Sequence, residues 1–272
     1  MESNSAGRAT RNDAVVRYRM TEGIATITLD RPHRLNAVVP ELVEELCSAL
    51  DQAVYDDVGA AVLTGAGRAF SSGHDLREPE AGGSEAAKRA RLQRIQDVTR
   101  KVRQAPFPVI AAVRGYALGA GCEFALCCDL VVASRDAVFG FPEVEVGLGV
   151  TGGISHVLPV TVGPAKAREL VLLGVRFDAA EGQRLGLVNR VVEGTELESA
   201  ARELAETLRD KPQRALALAK TALDRGAQYG IDSAYDIEVM NALALQGGED
   251  ARRASREFQL RSQSQLGSDG RA

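Results

Sequence analysis

The stretch AAVRGYALGAGCEFALCCDLVVA, from Ala111 to Ala133, decides the fold of this 272-residue chain. Two apolar runs, Val109 to Val113 and Leu130 to Ala133, have the length and the β-branched residues of buried strands. Between them, glycines precede a helical pattern from Gly121 to Cys127, which carries one acid, Glu123. The stretch therefore predicts a strand, a short helix and a second strand, with a carboxylate near the start of the helix.

Strands and helices also alternate on the N-terminal side of this stretch. Val15 to Arg19 and Ile24 to Leu29 flank a glycine-containing turn, which is the pattern of a β-hairpin. Apolar residues then recur at helical spacing after Pro40, and a short apolar run from Ala60 to Leu63 follows. A long polar helix is predicted from about Ser84 to Arg103. The pattern is that of an α/β protein.

C-terminal to Thr195, the sequence carries helix signals alone. Apolar residues recur at helical spacing from Leu197 to Leu208, from Gln213 to Leu223 and from Ile231 to Leu245. We therefore predict an α/β core followed by a helical C-terminal subdomain. The predicted parts of the chain are a disordered tail at residues 1–12, a catalytic core at 13–194, a helical association subdomain at 195–264 and a disordered tail at 265–272.

Composition excludes several classes of function. The net charge is -4, and no block of five lysines or arginines occurs, so we expect no nucleic-acid partner and no anionic membrane partner. The apolar runs are much shorter than the roughly 20 residues of a membrane span, and the polar N-terminus lacks a secretory signal. We expect a soluble, cytoplasmic protein. Four cysteines and three histidines show no zinc-ligand spacing, so we expect free buried thiols and no metal site.

Glycine, small residues and acids occur together in four segments at the ends of predicted strands, where α/β proteins place their sites. They are LDRPHRLNA (Leu29 to Ala37), LTGAGRAFSSGHDL (Leu63 to Leu76), the stretch quoted above and FGFPEVEVGLGVTGG (Phe139 to Gly153). In order and spacing they resemble the enoyl-CoA hydratase/isomerase (crotonase) family, and weaker similarity continues from Gly163 to Val192. The resemblance implies a crotonase-like α/β spiral core of ββα units capped by C-terminal helices, assembled as homotrimers or hexamers.

The resemblance also implies an oxyanion hole for a thioester. Addition of water to an enoyl thioester places negative charge on the thioester oxygen, where two preorganised amides lower the barrier most. Family similarity assigns these amides to the backbone of His74 and Ala120, each of which follows a glycine. Gly119 to Glu123 also has the pattern of a helix start, whose free amides and positive dipole end favour an oxyanion. Tight turns without a catalytic role are the alternative.

Two acids match the family's catalytic pattern. Glu123 follows the glycines, and Glu143 follows a proline after the next strand. In the family's mechanism the pair holds one water, which Glu123 activates for attack at C3 while Glu143 delivers a proton to C2. Because two neighbouring carboxylates cannot both ionise freely, one should have a raised pKa and act as the acid. Glu145 is an alternative for the second role if the loop is shifted.

Coenzyme A contacts follow from the same resemblance. Arg34 and Arg77 match the basic positions of the family's coenzyme pocket and could bind phosphates as forked donors. The other positions that we assign to substrate or coenzyme binding are Ala37, Asp75, Leu76 and Gly119. Hydrogen bonding within the fold or turn formation also explains Asp75, as it does Asp129. Coenzyme A enters as part of the substrate, and the resemblance implies no separate cofactor.

The pattern departs from the family at three places around the site. His74 stands where a small residue is usual, and its imidazole either contacts the ligand or is simply packed. Ala120 replaces the middle glycine of a common GGG run and adds a methyl group. Gly147 to Gly153, GLGVTGG, replaces a proline-containing loop that flanks the acyl group in many hydratases. The C-terminal REFQLRSQ, Arg256 to Gln263, only loosely resembles the family's basic segment.

Reversible hydration of a 2-trans-enoyl-CoA to a 3-hydroxyacyl-CoA is the function that the two acids imply. Enoyl-CoA isomerase and acyl-CoA hydrolase chemistry share the oxyanion hole and are the alternatives among enzymes. A non-catalytic acyl-CoA-binding protein on the same fold is the alternative from another class. The sequence leaves the acyl group open.

Overall fold

A computed structural model describes residues 14–77 and 84–248, together with Arg252, Arg253 and Arg256. The two predicted tails, 1–12 and 265–272, lie outside the described residues, as does nearly all of the segment 256–263. In the described part of the chain, no helix combines the length and the hydrophobicity that a membrane-spanning segment needs.

Strands and helices alternate through the first two thirds of the chain, as the sequence predicts. The strands are β1 (Val16–Thr21), β2 (Ile24–Leu29), β3 (Ala60–Gly65), β4 (Val109–Val113), β5 (Tyr116–Leu118), β6 (Leu130–Ser134), β7 (Val138–Gly140), β8 (Phe177–Asp178) and β9 (Arg190–Val192). The α-helices are α1 (Pro40–Tyr55), α2 (Glu85–Gln104), α3 (Ala120–Leu126), α4 (Ile154–Val162), α5 (Pro164–Leu172), α6 (Ala179–Arg184), α7 (Leu197–Arg209), α8 (Gln213–Tyr229) and α9 (Ile231–Leu245).

The larger sheet has the strand order β1-β2-β3-β4-β6-β9. Only the β1–β2 pair is antiparallel, and it turns through Glu22 and Gly23, which both have positive φ as a tight hairpin turn requires. The remaining neighbours are parallel, so their carboxyl ends meet at one edge. This arrangement confirms the predicted hairpin and the predicted α/β core.

Helices cover both faces of the larger sheet. The main core fills the face under α1 and α3, where side chains such as Leu46, Leu63 and Phe124 are buried. On the opposite face, α7 presents Ala201 and Ala205, which are small enough to let the helix lie directly on the sheet. The helix α7 thus belongs to the layered core, although the sequence assigns it to the C-terminal subdomain. The division at residue 194 stays a prediction.

The helices α8 and α9 pack on each other, and a buried lysine ties α8 to the core. The ammonium group of Lys220 donates to the carbonyl oxygens of Val102 and Phe107 and to the carboxylate of Asp129, at 2.7, 3.1 and 2.8 Å. All three N–H donors of the ammonium group are therefore hydrogen-bonded, which offsets the cost of burying the charge. Asp129 also accepts from the amide of Val109, so its role is structural.

A second, three-stranded sheet of order β5-β7-β8 lies beside the larger one. None of its three strands was predicted from the sequence. The strand β5 leads directly into α3, and β7 leads into a 3₁₀ helix at Pro142–Val146. Because β5 and β7 are parallel neighbours, the segments that follow them leave the sheet at the same edge. Glu123 and Glu143 are carried by these two segments.

Candidate active site

Two backbone segments meet at the centre of the site, one around Gly73 and one around Gly119. A methyl group built on Gly73 would lie 2.7 Å from the carbonyl oxygen of Leu118 and 3.5 Å from the Cα atom of Gly119. A second methyl group, built on Gly119, would lie 3.8 Å from the Cα atom of Gly73. Gly73 therefore allows a backbone approach that a side chain at this position would prevent, whereas a methyl group on Gly119 would only touch Gly73.

The amides of His74 and Ala120 follow these glycines. The amide of Val38 donates to the carbonyl of Gly73 at 2.8 Å, and the carbonyl of Val38 accepts from the amide of Asp75 at 3.1 Å. Because successive amides of an extended chain point in opposite directions, the amide of His74 points away from Val38. Ala120 is the first residue of α3, where an amide has no partner within the helix. Among the described residues, neither amide has a hydrogen-bond acceptor. Both amides are free to bind a ligand oxygen.

Gly119 fixes the start of α3. Its backbone has φ 53° and ψ −128°, a conformation that is readily available only to glycine. Its amide donates to the carbonyl of Gly140 at 2.9 Å, which joins α3 to the end of β7. A methyl group on Gly119 would lie 3.2 Å from Oε1 of Glu143. The carboxylate of the second acid therefore lies beside the helix start.

Glu123 lies in the first turn of α3 and is only 1 % exposed. Its Oε1 accepts from the amide of Thr151 at 2.5 Å, and its Oε2 accepts from the hydroxyl of the same residue. Burial raises the pKa of Glu123, and the two hydrogen bonds from Thr151 oppose that rise because they stabilise the ionised carboxylate. The carboxylate is thus buried and held by one residue.

Glu143 has a different environment. It lies in the 3₁₀ helix at Pro142–Val146 and is 5 % exposed, and its Oε2 is buried without a hydrogen-bond partner in the described part of the chain. Burial raises the pKa of Glu143 to about 7, and the charge of Glu123 acts in the same direction. A carboxyl group with this pKa is largely protonated below neutral pH and can donate a proton. Its unpartnered oxygen is available to a ligand.

Glu145, the alternative to Glu143, lies away from this centre. It is exposed, and its carboxylate packs against Gly174, where an added methyl group would lie 3.0 Å from its Cδ atom. Of the two candidates, the structure therefore brings Glu143 next to the first acid.

The residues predicted to bind coenzyme A differ in their exposure. Arg34 and Arg77 are exposed, and Leu76 is 66 % exposed. Ala37 is buried, with its carbonyl oxygen accepting from the guanidinium of Arg31 at 2.7 Å.

The carboxylate of Asp75 is engaged within the protein. It pairs with Arg31 at 3.3 Å, and both side chains are largely buried. This pair ties the segment after β2 to the segment that carries the His74 amide, which is the structural role that the sequence left open. His74 itself is partly buried, and burial lowers the pKa of its imidazole, which favours the neutral form.

Thr151 and Gly152 are site residues that were not predicted from the sequence. Both lie in the segment 147–153, where the sequence departs from the family pattern. A methyl group on Gly152 would lie 2.9 Å from Cβ of Glu123, so this loop is packed onto the acid. A threonine among glycines gives no local signal of such a contact. In the described residues, no cluster of three or more histidines, cysteines or acids is placed to hold a metal.

Comparison with known proteins identifies the family of the chain. The family model described as enoyl-CoA hydratase/isomerase matches residues 19–267. The chain belongs to the enoyl-CoA hydratase/isomerase family. The resemblance stated from the sequence motifs and the α/β fold class are both confirmed.

Individual relatives agree with this assignment. The chain is 39% identical over 220 residues to a short-chain-enoyl-CoA hydratase of Clostridium acetobutylicum, covering 79% of this chain and 83% of that protein. It is 39% identical over 224 residues to the mitochondrial enoyl-CoA hydratase domain-containing protein 2 of Bos taurus, covering 80% and 75%. The crystal structure of an enoyl-CoA hydratase from Bacillus anthracis superimposes with a TM-score of 0.85 at 32% identity, covering 91% and 96%. Because a mitochondrial protein is among these relatives, the cytoplasmic location stays a prediction.

Proposed function

We propose that the protein is an enoyl-CoA hydratase that adds water reversibly to a 2-trans-enoyl-CoA and forms a 3-hydroxyacyl-CoA. The observation that carries the proposal is the pair of buried acids with unlike surroundings. Glu123 is held by two donors, whereas Glu143 keeps one oxygen unpartnered among the described residues. The relative named short-chain-enoyl-CoA hydratase, at 39% identity, supports the same reaction class.

The amides of His74 and Ala120 are proposed to bind the thioester oxygen. Negative charge develops on this oxygen as water adds at C3, and each preorganised donor lowers the barrier by about 3 kcal/mol. The proposal is supported by the close contact of Gly73 with Gly119, which brings the two amide-bearing segments together. It is also supported by the position of Ala120 at the start of α3, since the positive end of the helix dipole favours an anion.

The two acids are proposed to divide the proton transfers. Glu123 takes a proton from the water as the oxygen bonds to C3, and Glu143 gives a proton to C2. Support for this division comes from the raised pKa of Glu143, about 7, which keeps a proton available near neutral pH. The chemistry needs no redox step and no metal, so we propose that coenzyme A, as part of the substrate, is the only group required. Activity should survive dialysis against a chelator.

Replacement of each acid tests the assignment. We expect Glu123→Gln and Glu143→Gln each to lower kcat by about 10²–10⁴-fold, because general acid–base catalysis contributes that much. Binding of a CoA ester, measured by calorimetry, should survive. Glu145→Gln is the matched control and should keep wild-type turnover. Wild-type rates in both site variants would refute the assignment.

Arg34 and Arg77 are proposed to bind the coenzyme phosphates. Both are exposed, and an exposed forked guanidinium can reach a phosphate of a bound coenzyme. Arg34→Ala and Arg77→Ala should raise KM and leave kcat unchanged, because such contacts act equally on ground and transition states. Arg168→Ala, at an exposed position on α5, is the control. An unchanged KM in both Arg34→Ala and Arg77→Ala would exclude the two arginines from coenzyme binding.

Isomerisation is the second candidate, since the family model covers isomerases as well as hydratases. The same oxyanion donors serve both reactions, so the products must separate them. Incubation of crotonyl-CoA in water labelled with ¹⁸O and deuterium should place the heavy oxygen at C3. Exchange of deuterium without uptake of oxygen would identify an isomerase. Tight binding of acyl-CoA esters without any turnover would identify a binding protein.

A homotrimer or hexamer is the proposed assembly. Support comes from large apolar side chains on α8 and α9 that are more than half exposed in the single chain: Leu223, Tyr229, Ile231, Tyr235, Val239 and Met240. Exposed apolar side chains grouped on two helices that pack on each other favour association. Val239→Lys should dissociate the assembly in light-scattering measurements, whereas Val54→Lys on α1 should not. A wild-type monomer would refute this proposal.

A further inference from the structure

The segment that carries Thr151 closes directly onto Glu123. The amide of Thr151 donates to Oε1 at 2.5 Å and its hydroxyl donates to Oε2, so one residue binds both oxygens of the carboxylate. On the neighbouring residue, Gly152, a methyl group would lie 2.9 Å from Cβ of Glu123. The loop therefore contacts the acid at its carboxylate and along its stem.

We propose that Thr151 is a positioning residue that fixes the orientation of the Glu123 carboxylate and makes it the base of the pair. The proposal rests on the proposed hydratase function. It gives a physical role to the place where GLGVTGG, residues 147–153, departs from the pattern that many hydratases share.

The hydrogen bonds from Thr151 leave acceptor sites on Glu123 for the reacting water. An ionised carboxylate has about four acceptor sites, two on each oxygen. Thr151 takes one site on Oε1 and one on Oε2, so each oxygen retains a site for the water. The amide of Thr151 can only donate, and hydrogen bonds to an ionised acceptor are about twice as strong as neutral ones. Two such donors favour the ionised form that a base requires.

Among the described residues, Thr151 and not a cation stabilises the ionised carboxylate of Glu123. The titratable groups that face it or line the cleft behind Gly152 are the Cys122 thiol, Glu143, Arg100, Arg103 and His156. The two arginines pair with Asp97 and Asp224, and within the described part of the chain no cation forms a salt bridge with Glu123. From α2, the neutral side chain of Thr99 completes the enclosure. The two hydrogen bonds from Thr151 are the stabilisation that the carboxylate receives here.

Removal of the hydroxyl tests the proposal. Thr151→Val and Thr151→Ala keep the amide and lose the hydroxyl. The smaller alanine serves as the second variant in case valine does not fit the site. Thr151→Ser restores the hydroxyl. The control is Thr161→Val, which removes a hydroxyl that donates to the carbonyl of Val157 on the exposed face of α4. The pH profile of kcat/KM for crotonyl-CoA hydration reports the pKa of the base on its acidic limb.

We expect the acidic limb to move up by about one pH unit in Thr151→Val and Thr151→Ala, which is a tenfold change in the ionisation equilibrium. We expect kcat to fall by about tenfold in both variants, with wild-type behaviour in Thr151→Ser and Thr161→Val. A merely structural role would lower the amount of active enzyme without moving the limb. Wild-type limbs in both hydroxyl-free variants, or an equal shift in Thr151→Ser, would overturn the proposal.

A readout without turnover separates this proposal from the hydratase assignment. The infrared carboxyl band of Glu123, assigned by its loss in Glu123→Gln, can be titrated in the full-length protein. The band should titrate about one pH unit higher in Thr151→Val than in the wild type. An unshifted band overturns the positioning role, even if the enzyme hydrates crotonyl-CoA. A wild type that hydrates no enoyl-CoA overturns the function instead, whatever the band shows.

Discussion

Gly152 and Gly153 are adjacent glycines that both have positive φ. Their surroundings differ, because only Gly152 is packed against other residues. Their φ values are +59° and +77°, so alanine at either position costs about 1–2 kcal/mol in the left-handed region. An alanine methyl group at Gly152 would lie 2.9 Å from Cβ of Glu123, whereas at Gly153 nothing lies within 4 Å. The two substitutions therefore differ in steric contact with the acid.

The size of the clash sets the expected loss of activity. Carbon atoms prefer separations of about 3.5–4.0 Å, so Gly152→Ala must move Glu123 or the loop by about 0.6 Å or more. Misplacement of a catalytic group by about 1 Å can cost about 10²-fold in rate. We expect kcat for crotonyl-CoA hydration to fall by about 10–100-fold in Gly152→Ala, with a change of at most a few-fold in Gly153→Ala.

Thermal unfolding serves as the control for this comparison. Both variants should lose about 1–2 kcal/mol from backbone strain, and the steric clash should destabilise Gly152→Ala further. Turnover is therefore compared at a temperature at which both variants remain folded. Wild-type turnover in Gly152→Ala would refute the inference that the loop places Glu123. Equal losses of turnover in the two variants would assign the effect to loop strain.

Two further predictions concern stability. Because the pKa of Glu143 is raised from 4.5 to about 7, the folded protein retains a proton that the unfolded chain releases. The free energy of unfolding should therefore fall as pH rises from about 4.5 to about 7. Urea denaturation of Glu143→Gln should show a smaller fall over the same range. An identical pH slope in the wild type and the variant would contradict the raised pKa of Glu143. Lys220→Met removes a buried ammonium group that donates to the carbonyl oxygens of Val102 and Phe107 and to Asp129, and should cost about 1–3 kcal/mol in urea denaturation. Lys166→Met, at an exposed ion pair, should cost about 0–1 kcal/mol. Equal losses in the two lysine variants would contradict the anchoring role.

Local sequence patterns predict the elements whose signals lie within a short window. The predicted strand Val109–Val113 and the predicted helix Ile231–Leu245 have the observed bounds. The helix predicted from about Ser84 begins there because the hydroxyl of Ser84 accepts from the amide of Ala87, as an N-cap residue does. In each case the periodicity or the cap acts over a few residues, so one chain segment carries the information.

The second sheet has no such local signal. Its strands β5, β7 and β8 are three, three and two residues long, which is too short for an alternating pattern to appear. They form because distant segments pair, as Tyr116 does with Val138 and Phe139 does with Phe177. This sheet nevertheless positions the segment that carries Glu143. The sequence could therefore indicate the acid through a family motif without predicting the scaffold that holds it.

The roles of the two acids show the same limit at the level of chemistry. Glu123 and Glu143 are identical residues, and motif similarity identifies both of them without saying how their protonation differs. The difference arises from contacts across the chain, since Glu123 accepts two hydrogen bonds from Thr151, 28 residues away. Glu143 receives no such bond at Oε2 from the described residues. In the proposed mechanism, an amide and a hydroxyl on one loop thus distinguish base from acid, and we expect a substitution in that loop to alter catalysis while both motifs stay intact.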